Sequence, residues 1–320
     1  MLNLSKKLFF SQNLMSSLLR VSPQTILRVI KDANIKNANT DSLKTKKYDY
    51  LVTRSICNNI IRKKGSIKKK VHVFYNFKGG TGKTSICYQL GFHLSIIGYK
   101  VLFLDCDPQG CLSAALNFPE DNEFNTIYDV LINNISIKDT IISILPGLDA
   151  IPSNLSLSRV EVPLSQKPRR EEKLSSVIEE ISPCYDFIFI DTNPYISTLN
   201  LNALVAADHV NFICETAPFS LYGLRLLLEE TENFFKDMKK ELNYNIIANR
   251  YEIKTATAQE VLGYLRSHYK SYVMDSVIRK CEEFNISTKE KIPISSFCKK
   301  RSVALEDLID LLHEFIEISI

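Results

Sequence analysis

The stretch FYNFKGGTGKTS, residues 74 to 85, decides the fold of this chain. It nearly matches the phosphate-binding pattern G-x-x-x-x-G-K-[ST], but Phe77 stands where the first glycine belongs and Lys78 follows it. The apolar run VHVFYNF (71–77) precedes the glycines, and TSICYQLGFHLSIIG (84–98) follows them with the length of a helix. Strand, glycine loop and helix thus occur in the order that a phosphate-binding loop requires.

The loop residues have the chemistry to bind a nucleotide with Mg²⁺. Lys83 would neutralise the β- and γ-phosphates, the hydroxyl of Thr84 would bind Mg²⁺, and Ser85 would reach the α-phosphate. Four backbone N–H groups at the start of the helix can surround phosphate oxygens. They belong to Gly79, Gly80, Thr81 and Gly82.

The missing first glycine does not disable this loop. The glycines that approach phosphate lie downstream of it, and Phe77 can end the strand by packing under the loop. Lys78 is then surplus to the phosphate site of its own chain. Since it lies at the mouth of the loop and points outward, we expect it to serve a neighbouring molecule.

The chain beyond the loop predicts an α/β fold. KVLFLDCD (100–107) and DFIFID (186–191) are continuous apolar strands, which are typical of a parallel sheet that helices cover on both faces. Ligands of such sheets bind beyond the carboxyl ends of the strands, and both strands end in carboxylates. We predict a Rossmann-like P-loop domain with a mostly parallel sheet over residues 71–320.

Charge divides the chain near Lys70. Residues 1–70 contain 16 Lys and Arg against 3 Asp, whereas the remainder contains 24 basic against 33 acidic residues. A basic arm on an acidic body indicates a nucleic-acid contact joined to a separate domain. A solvated basic tail is the alternative.

Two short helices are predicted in the basic arm, at about Gln12–Leu19 and from Pro23 to about Ala33. Ser22 can cap the second helix and Pro23 suits its first position. Its buried face would consist of Ile26, Val29, Ile30 and Ala33. Its exposed face offers four candidate DNA contacts, Gln24, Thr25, Arg28 and Lys31. We predict a helix-turn-helix-like domain, with a helical dimerisation or packing module as the alternative.

The rest of the arm predicts a loop or wing at 37–50, another short helix at 51–64 and a basic linker at 62–70. The eight cysteines are scattered without a C-x-x-C pair, which favours buried reduced thiols over zinc or disulfides. Without a run of about 18 apolar residues, no membrane span is predicted. We expect a soluble, cytoplasmic chain.

Three ordered motifs resemble one family. KGGTGKTS (78–85) resembles the deviant Walker A motif of the ParA/MinD group of P-loop ATPases. LDCDPQG (104–110) resembles the switch segment of that group and FIFIDTNP (187–194) its Walker B strand. The resemblance covers roughly residues 70–320. It implies ATP and Mg²⁺ as cofactors, weak intrinsic ATPase activity, and a homodimer in which Lys78 reaches the phosphates of the partner.

The site residues follow from this resemblance together with their chemistry. Asp107 would position the attacking water beside the γ-phosphate and face Mg²⁺, and Asp191 would hold Mg²⁺ through a water, with Thr84 as the third metal residue. Catalysis would depend on Lys78, Lys83 and Asp107. Asp105 would support the switch. For each of these carboxylates, the alternative is a group that caps a helix or loop.

The nucleobase would be contacted late in the chain, where NIIANRYE (245–252) and the segment 276–297 resemble family segments. Asn249 could read the purine edge, although a turn-forming Asn fits as well, and Arg279 is a further nucleotide candidate. The chain departs from the family at Asn193, where Pro is common, and at Ile278 in the late loop, which usually reads Ile-Pro-Arg. Neither change removes a phosphate or metal ligand.

The resemblance implies a DNA-partition ATPase. An ATP-induced sandwich dimer would coat DNA at the nucleoid until a ParB-like centromere-binding partner triggers hydrolysis. The N-terminal unit resembles those of larger plasmid ParA proteins that repress their own operon. Candidates for the non-specific DNA surface are basic residues of the C-terminal third: Lys254, Arg266, Lys270, Arg279, Lys280, Lys299, Lys300 and Arg301.

Two other functions compete with partition. A MinD-like membrane ATPase ends in a basic amphipathic helix, whereas residues 302–320 are acidic and would be repelled by anionic lipid. A nitrogenase-reductase-like protein needs paired cluster cysteines, and no cysteine lies between Asp191 and Cys214. We therefore expect no membrane partner.

Overall fold

A computed structural model of the chain describes residues 8–33, 47–61, 66–119, 124–298 and 302–320. The strands are β1 (Phe9–Ser11), β2 (Lys47–Asp49), β3 (Val71–Tyr75), β4 (Val101–Cys106), β5 (Ile142–Leu145), β6 (Leu148–Ile151), β7 (Phe187–Thr192), β8 (His209–Glu215), β9 (Tyr244–Tyr251) and β10 (Val273–Arg279). The helices before the centre of the chain are α1 (Gln12–Leu19), α2 (Pro23–Asp32), α3 (Tyr50–Ile61), α4 (Lys83–Ile96), α5 (Cys111–Ala115), α6 (Ile127–Leu131) and α7 (Glu161–Ser165). The later ones are α8 (Lys173–Glu179), α9 (Thr198–Ala206), α10 (Pro218–Asp237), α11 (Ala256–His268), α12 (Glu282–Glu290) and α13 (Val303–Ser319).

Eight strands form one sheet in the order β10-β9-β8-β3-β7-β4-β6-β5. All neighbours are parallel except β5, which runs antiparallel to β6 at one edge. The predicted α/β fold with a mostly parallel sheet is therefore confirmed. β3 lies in the middle between β7 and β8, so the loop that follows it emerges at the centre of the carboxyl edge.

The central strands are apolar throughout because helices cover both faces. Every residue of β3, β4 and β7 is buried. α4 lies close on the sheet because Gly91 has no side chain, and a Cβ there would collide with the Phe103 ring. The helix that follows the glycine loop is thereby fixed against β4.

The predicted boundaries differ from the observed ones by about two residues. β3 ends at Tyr75 rather than at Phe77, because the side chain of Asn76 turns the chain: its Nδ2 donates to Ile213 O at 2.6 Å and its Oδ1 accepts from Lys78 N at 2.8 Å. Phe77 packs edge-on to Tyr75, 5.6 Å between ring centroids, as expected for a residue beneath the loop.

The N-terminal helices form where the sequence predicts them. Ser22 accepts from Thr25 N at 3.2 Å and so caps α2, and Ile26 and Ile30 are buried. Ala33 was expected on the buried face but is exposed, because α2 ends at Asp32. Of the predicted loop or wing, residues 37–46 lie outside the described residues, while β2 pairs antiparallel with β1. Residues 62–65 of the predicted third helix and linker also lie outside them.

The N-terminal unit packs directly on the sheet domain. Its buried residues, such as Met15 and Ile56, belong to the same apolar cluster as Phe92 of α4 and Phe315 of α13. Arg54 of α3 donates from Nη1 to the carbonyl oxygens of Ser95 and, at 2.7 Å, Tyr99. The division at residue 70 stays a prediction, and the interface means that the two parts share one core.

The last helix, α13, is buried along its apolar face. Phe315 lies 5.3 Å from the ring of Phe189 and 4.4 Å from that of His72. The apolar face of α13 thus packs on the sheet and is not available to lipid. Among the described residues, no helix is long and apolar enough to cross a membrane.

The thiols are only partly as expected. Cys57, Cys87, Cys106 and Cys214 are buried, but Cys111 and Cys184 are exposed. These two exposed thiols correct the prediction of buried thiols, because Cys111 starts α5 at the surface and Cys184 lies in a short turn before β7. All eight thiols are free. The described residues contain no cluster of three or more His, Cys, Asp or Glu that could hold a metal ion.

Candidate nucleotide site

The glycine loop connects β3 to the start of α4 at the centre of the sheet edge. Gly80 and Gly82 have φ angles of 75° and 93°, in the left-handed region that L side chains disfavour. A Cβ on Gly82 would collide with the side-chain amide of Asn249. The loop conformation therefore requires glycine at position 82. α4 begins at Lys83, so its first N–H groups have no partners within the helix and face the loop.

Lys83, Thr84 and Asp191 form the centre of the site. Thr84 Oγ1 donates to Asp191 Oδ2 at 2.6 Å, and Lys83 Nζ donates to Lys78 O at 3.3 Å. Asp191 is fully buried, and no described group bonds its Oδ1. A buried carboxylate oxygen without a partner beside a threonine hydroxyl fits a hydrated Mg²⁺.

The charges of the site are strongly perturbed by burial. Burial raises the pKa of Asp191 well above its usual value, and the nearby carboxylate of Asp105 raises it further. Burial lowers the pKa of Lys83, although the charges of Asp191 and Asp107 oppose this effect. Perturbed groups gathered at one sheet edge are typical of functional sites.

The switch carboxylates have different surroundings. Asp105 is buried, and its Oδ2 accepts from both N and Oγ of Ser113 at 2.8 and 2.7 Å. Burial raises the pKa of Asp105 to about 6. Asp107 is half-buried: its carboxylate Oδ1 accepts from Gln109 N at 2.9 Å, and its carbonyl oxygen accepts from Ser153 Oγ at 2.5 Å. Both carboxylates thus accept local hydrogen bonds in the segment after β4, and their roles in catalysis stay predictions.

A small cavity of about 200 Å³ adjoins the loop on the side of β9 and α12. Its lining residues include Gly82, Ser85, Asn249, Arg279, Phe284 and Asn285. Asn249 Nδ2 donates to Thr81 O at 2.6 Å, and the guanidinium of Arg279 is paired with Asp307. The structure thus brings both nucleobase candidates to one cavity beside the loop, and their roles stay predictions.

Lys78 is held within its own protomer. Its Nζ donates to Glu215 Oε2 at 2.7 Å and to Ser220 Oγ at 3.2 Å. Sequence reasoning missed Glu215, Ser220 and Asn76, because the contacts depend on β8 lying beside β3. A prediction that β8 lies beside β3 in the sheet could have indicated these residues.

The DNA candidates lie elsewhere. Gln24, Arg28 and Lys31 are exposed on α2, while Thr25 is half-buried and bonds Ser22. In the C-terminal third, Lys254, Arg266, Lys270 and Lys280 are exposed, whereas Lys299, Lys300 and Arg301 lie outside the described residues. No described contact tests either group, so both stay predictions.

Comparison with known proteins gives the family. A family model described as an AAA domain matches residues 69–244. The cell division protein PomZ of Myxococcus xanthus is 35% identical over 225 residues, covering 69% of this chain and 70% of that protein. The chromosome-partitioning ATPase Soj of Treponema pallidum is 33% identical over 71% of this chain and 90% of its own length. The chain belongs to the ParA family.

A solved structure has the same fold. A putative plasmid partition protein from Borrelia burgdorferi, bound to AMPPNP, superposes with a TM-score of 0.66 and 25% identity. The alignment covers 78% of this chain and all of the other. This ParA-family chain is therefore a P-loop ATPase. The matched part of the chain begins near Lys69, so the family model says nothing about α1 and α2.

Proposed function

We propose that the chain is a DNA-partition ATPase that binds ATP and Mg²⁺ at the loop between β3 and α4. Lys83 would contact the phosphates, and Thr84 and Asp191 would hold Mg²⁺, which would neutralise phosphate charge. The observation that carries the proposal is the Thr84 to Asp191 contact of 2.6 Å beside a buried lysine at the start of a helix. Asp107, which is close enough to Lys83 for its charge to act on it, would orient the attacking water.

ATP would pair two copies face to face across the opening of this site. Several large apolar side chains are exposed around this opening. An exposed apolar patch of this kind is typical of a surface that contacts another protein. The side chains are Tyr195, Ile196, Phe219 and Tyr222. They adjoin the loop, since Pro194 lies against Gly79 and Ser220 bonds Lys78. A second copy covering this rim would bring Lys78 to the phosphates of its partner.

The dimer would bind DNA without sequence preference through basic patches, at the nucleoid in the cytoplasm. A ParB-like centromere-binding protein would trigger hydrolysis and release. The exposed polar face of α2 would contact an operator, which would make the chain an autorepressor. The buried apolar face of α13 supports this function over a MinD-like membrane ATPase.

Two lysine variants test the proposal. Lys83→Ala should weaken ATP binding by at least a hundredfold, because about 3 kcal/mol is lost when a buried charge partner of phosphate is removed. Lys78→Ala should bind ATP normally and stay monomeric. Isothermal titration measures the affinity and light scattering the mass, and Lys138→Ala on the surface serves as the control.

Each of the two variants can contradict a different part of the proposed function. Unchanged ATP affinity in Lys83→Ala would remove the nucleotide assignment. A Lys78→Ala chain that dimerises with ATP as the parent does would show that Lys78 acts only within its own protomer.

A further inference from the structure

Glu215 ends β8 at the mouth of the glycine loop, and the proposed cycle does not use it. Its Oε2 accepts from Lys78 Nζ at 2.7 Å, and its Oε1 lies 3.6 Å from Nη1 of Arg250. Ser220, in the first turn of α10, is 3.2 Å from the same Lys78 nitrogen. One carboxylate therefore lies between two cations.

The backbone fixes this arrangement. β3 and β8 are neighbours in register, with Tyr75 opposite Phe212. Asn76 links the carboxyl ends of these two strands: its side-chain Nδ2 donates to Ile213 O of β8, and its Oδ1 accepts from Lys78 N after β3. Lys78 thus starts from a position within reach of Glu215 whenever the sheet is formed.

The ion pair is favourable but weak. Burial alone would raise the pKa of Glu215, but the hydrogen bond and charge of Lys78, together with Arg250, lower it below its usual value. The side chains of Lys78 and Glu215 are 47% and 22% exposed, so solvent screens the pair. Such a pair can restrain Lys78 without trapping it.

We propose that Glu215 is a positioning residue that holds Lys78 on its own protomer and so opposes the ATP-dependent pairing of two copies. This inference rests on the proposed function, in which Lys78 contacts the phosphates of the partner. The Lys78 ammonium has three N–H donors, and Glu215 and Ser220 of its own chain take two of them. We therefore expect each protomer to open this pair when its Lys78 turns to the phosphates of the partner. Two partly exposed pairs together oppose closure by about tenfold.

Glu215→Gln tests the restraint, because it keeps the shape and removes the charge. At saturating ATP, the protein concentration at half-dimerisation should fall about tenfold in sedimentation equilibrium, since two pairs no longer need to break. Glu252→Gln is the matched control: Glu252 pairs with Lys280 at the same distance of 2.7 Å, away from Lys78. The control should dimerise as the parent does.

Amine acetylation followed by mass spectrometry tests the ion pair itself in the monomer without nucleotide. Acetylation of Lys78 should be several-fold faster in Glu215→Gln than in the parent. Acetylation of Lys280 should likewise be several-fold faster in Glu252→Gln than in the parent. Unchanged labelling of Lys78 in Glu215→Gln would overturn the ion pair. Faster labelling with unchanged or weaker dimerisation would overturn the restraint. A parent chain that stays monomeric with ATP would overturn the proposed dimer and the restraint together. If the parent dimerises and Glu215→Gln dimerises only equally well, the restraint alone is overturned.

Discussion

Gly82 is the residue where backbone conformation and side-chain packing both restrict the nucleotide site. Its φ of 93° disfavours any L side chain, and the position of a Cβ is already taken by the amide of Asn249. That amide donates to Thr81 O at 2.6 Å, so it holds the loop from the side of β9. Asn249 is thus a loop support in the structure, whatever contact it makes with a base.

Gly82→Ala should weaken ATP binding by at least tenfold, because a strained αL residue costs about 1 to 2 kcal/mol and Asn249 must move as well. Titration calorimetry measures the affinity. Gly263→Ala is the control: this glycine lies within α11 with open space around its Cβ, so alanine should leave ATP affinity unchanged and add up to about 1 kcal/mol of stability. Parental ATP affinity in Gly82→Ala would contradict the loop geometry.

Asn193 replaces the proline that is common in the family, and the structure gives the replacement a role. Its Oδ1 accepts from Tyr195 N and from Nδ2 of Asn200, each at 3.0 Å. The turn after β7 is therefore held by an Asn side chain bonded to the start of α9, where the proline of relatives would fix the backbone by its ring.

At the scale of elements, α3 joins the N-terminal unit to the nucleotide-binding helix. Arg54 donates to the carbonyl oxygens of Ser95, in the last turn of α4, and of Tyr99, in the segment that follows α4. Its guanidinium occupies the space that a side chain at Gly147 would fill. Tyr50 adds a bond to Ser95 Oγ at 3.2 Å. The end of α4 opposite the phosphate loop is thus capped by α3.

Arg54→Ala should lower the free energy of unfolding by about 2 kcal/mol, because it removes both hydrogen bonds that the charged guanidinium donates to the carbonyl oxygens of Ser95 and Tyr99. Urea denaturation measures the change. Arg28→Ala is the control on exposed α2 and should stay within about 0.5 kcal/mol of the parent. Equal stability of the two variants would show that α3 is not bound to α4 in solution.

At the scale of the whole molecule, one continuous core determines how the DNA activities can be separated. A truncation at residue 70 would expose the apolar side chains of α4 and α13 that α3 and α1 cover, since all belong to one cluster. Loss of DNA binding in such a truncation would therefore report damage to the fold as well as loss of a contact. Point changes on the exposed face of α2 avoid this difficulty.

The double variant Arg28→Ala with Lys31→Ala should weaken operator binding and keep ATP-dependent binding to random DNA. If both side chains contact phosphates, the slope of log K for operator binding against log salt concentration should become shallower by about 0.9 per lost contact. Fluorescence anisotropy with a duplex from upstream of the gene and a random duplex of equal length measures both. Unchanged binding to the upstream duplex would assign α2 to packing alone, and loss of both activities would place non-specific binding on α2.

The sequence alone determined the parallel sheet, the glycine loop and the placement of Lys83, Thr84 and Asp191 at the carboxyl edge of the sheet, because those features depend on local order: an apolar strand, glycines and a helix start adjacent in the chain. The cap of α2 at Ser22 was likewise readable from a short spacing. The predicted helix ended one residue late because the exposed Ala33 carries no local stop signal.

Only the tertiary structure decided which elements lie side by side. The pairing of β8 with β3 brings Glu215 to Lys78 across 137 residues of sequence, and the packing of α3 on α4 joins Arg54 to Ser95 and Tyr99. No local periodicity encodes such contacts, since they arise from strand order and from the burial of apolar faces. The charge split at residue 70 indicated two parts, but the shared apolar core that joins them is a property of the folded chain.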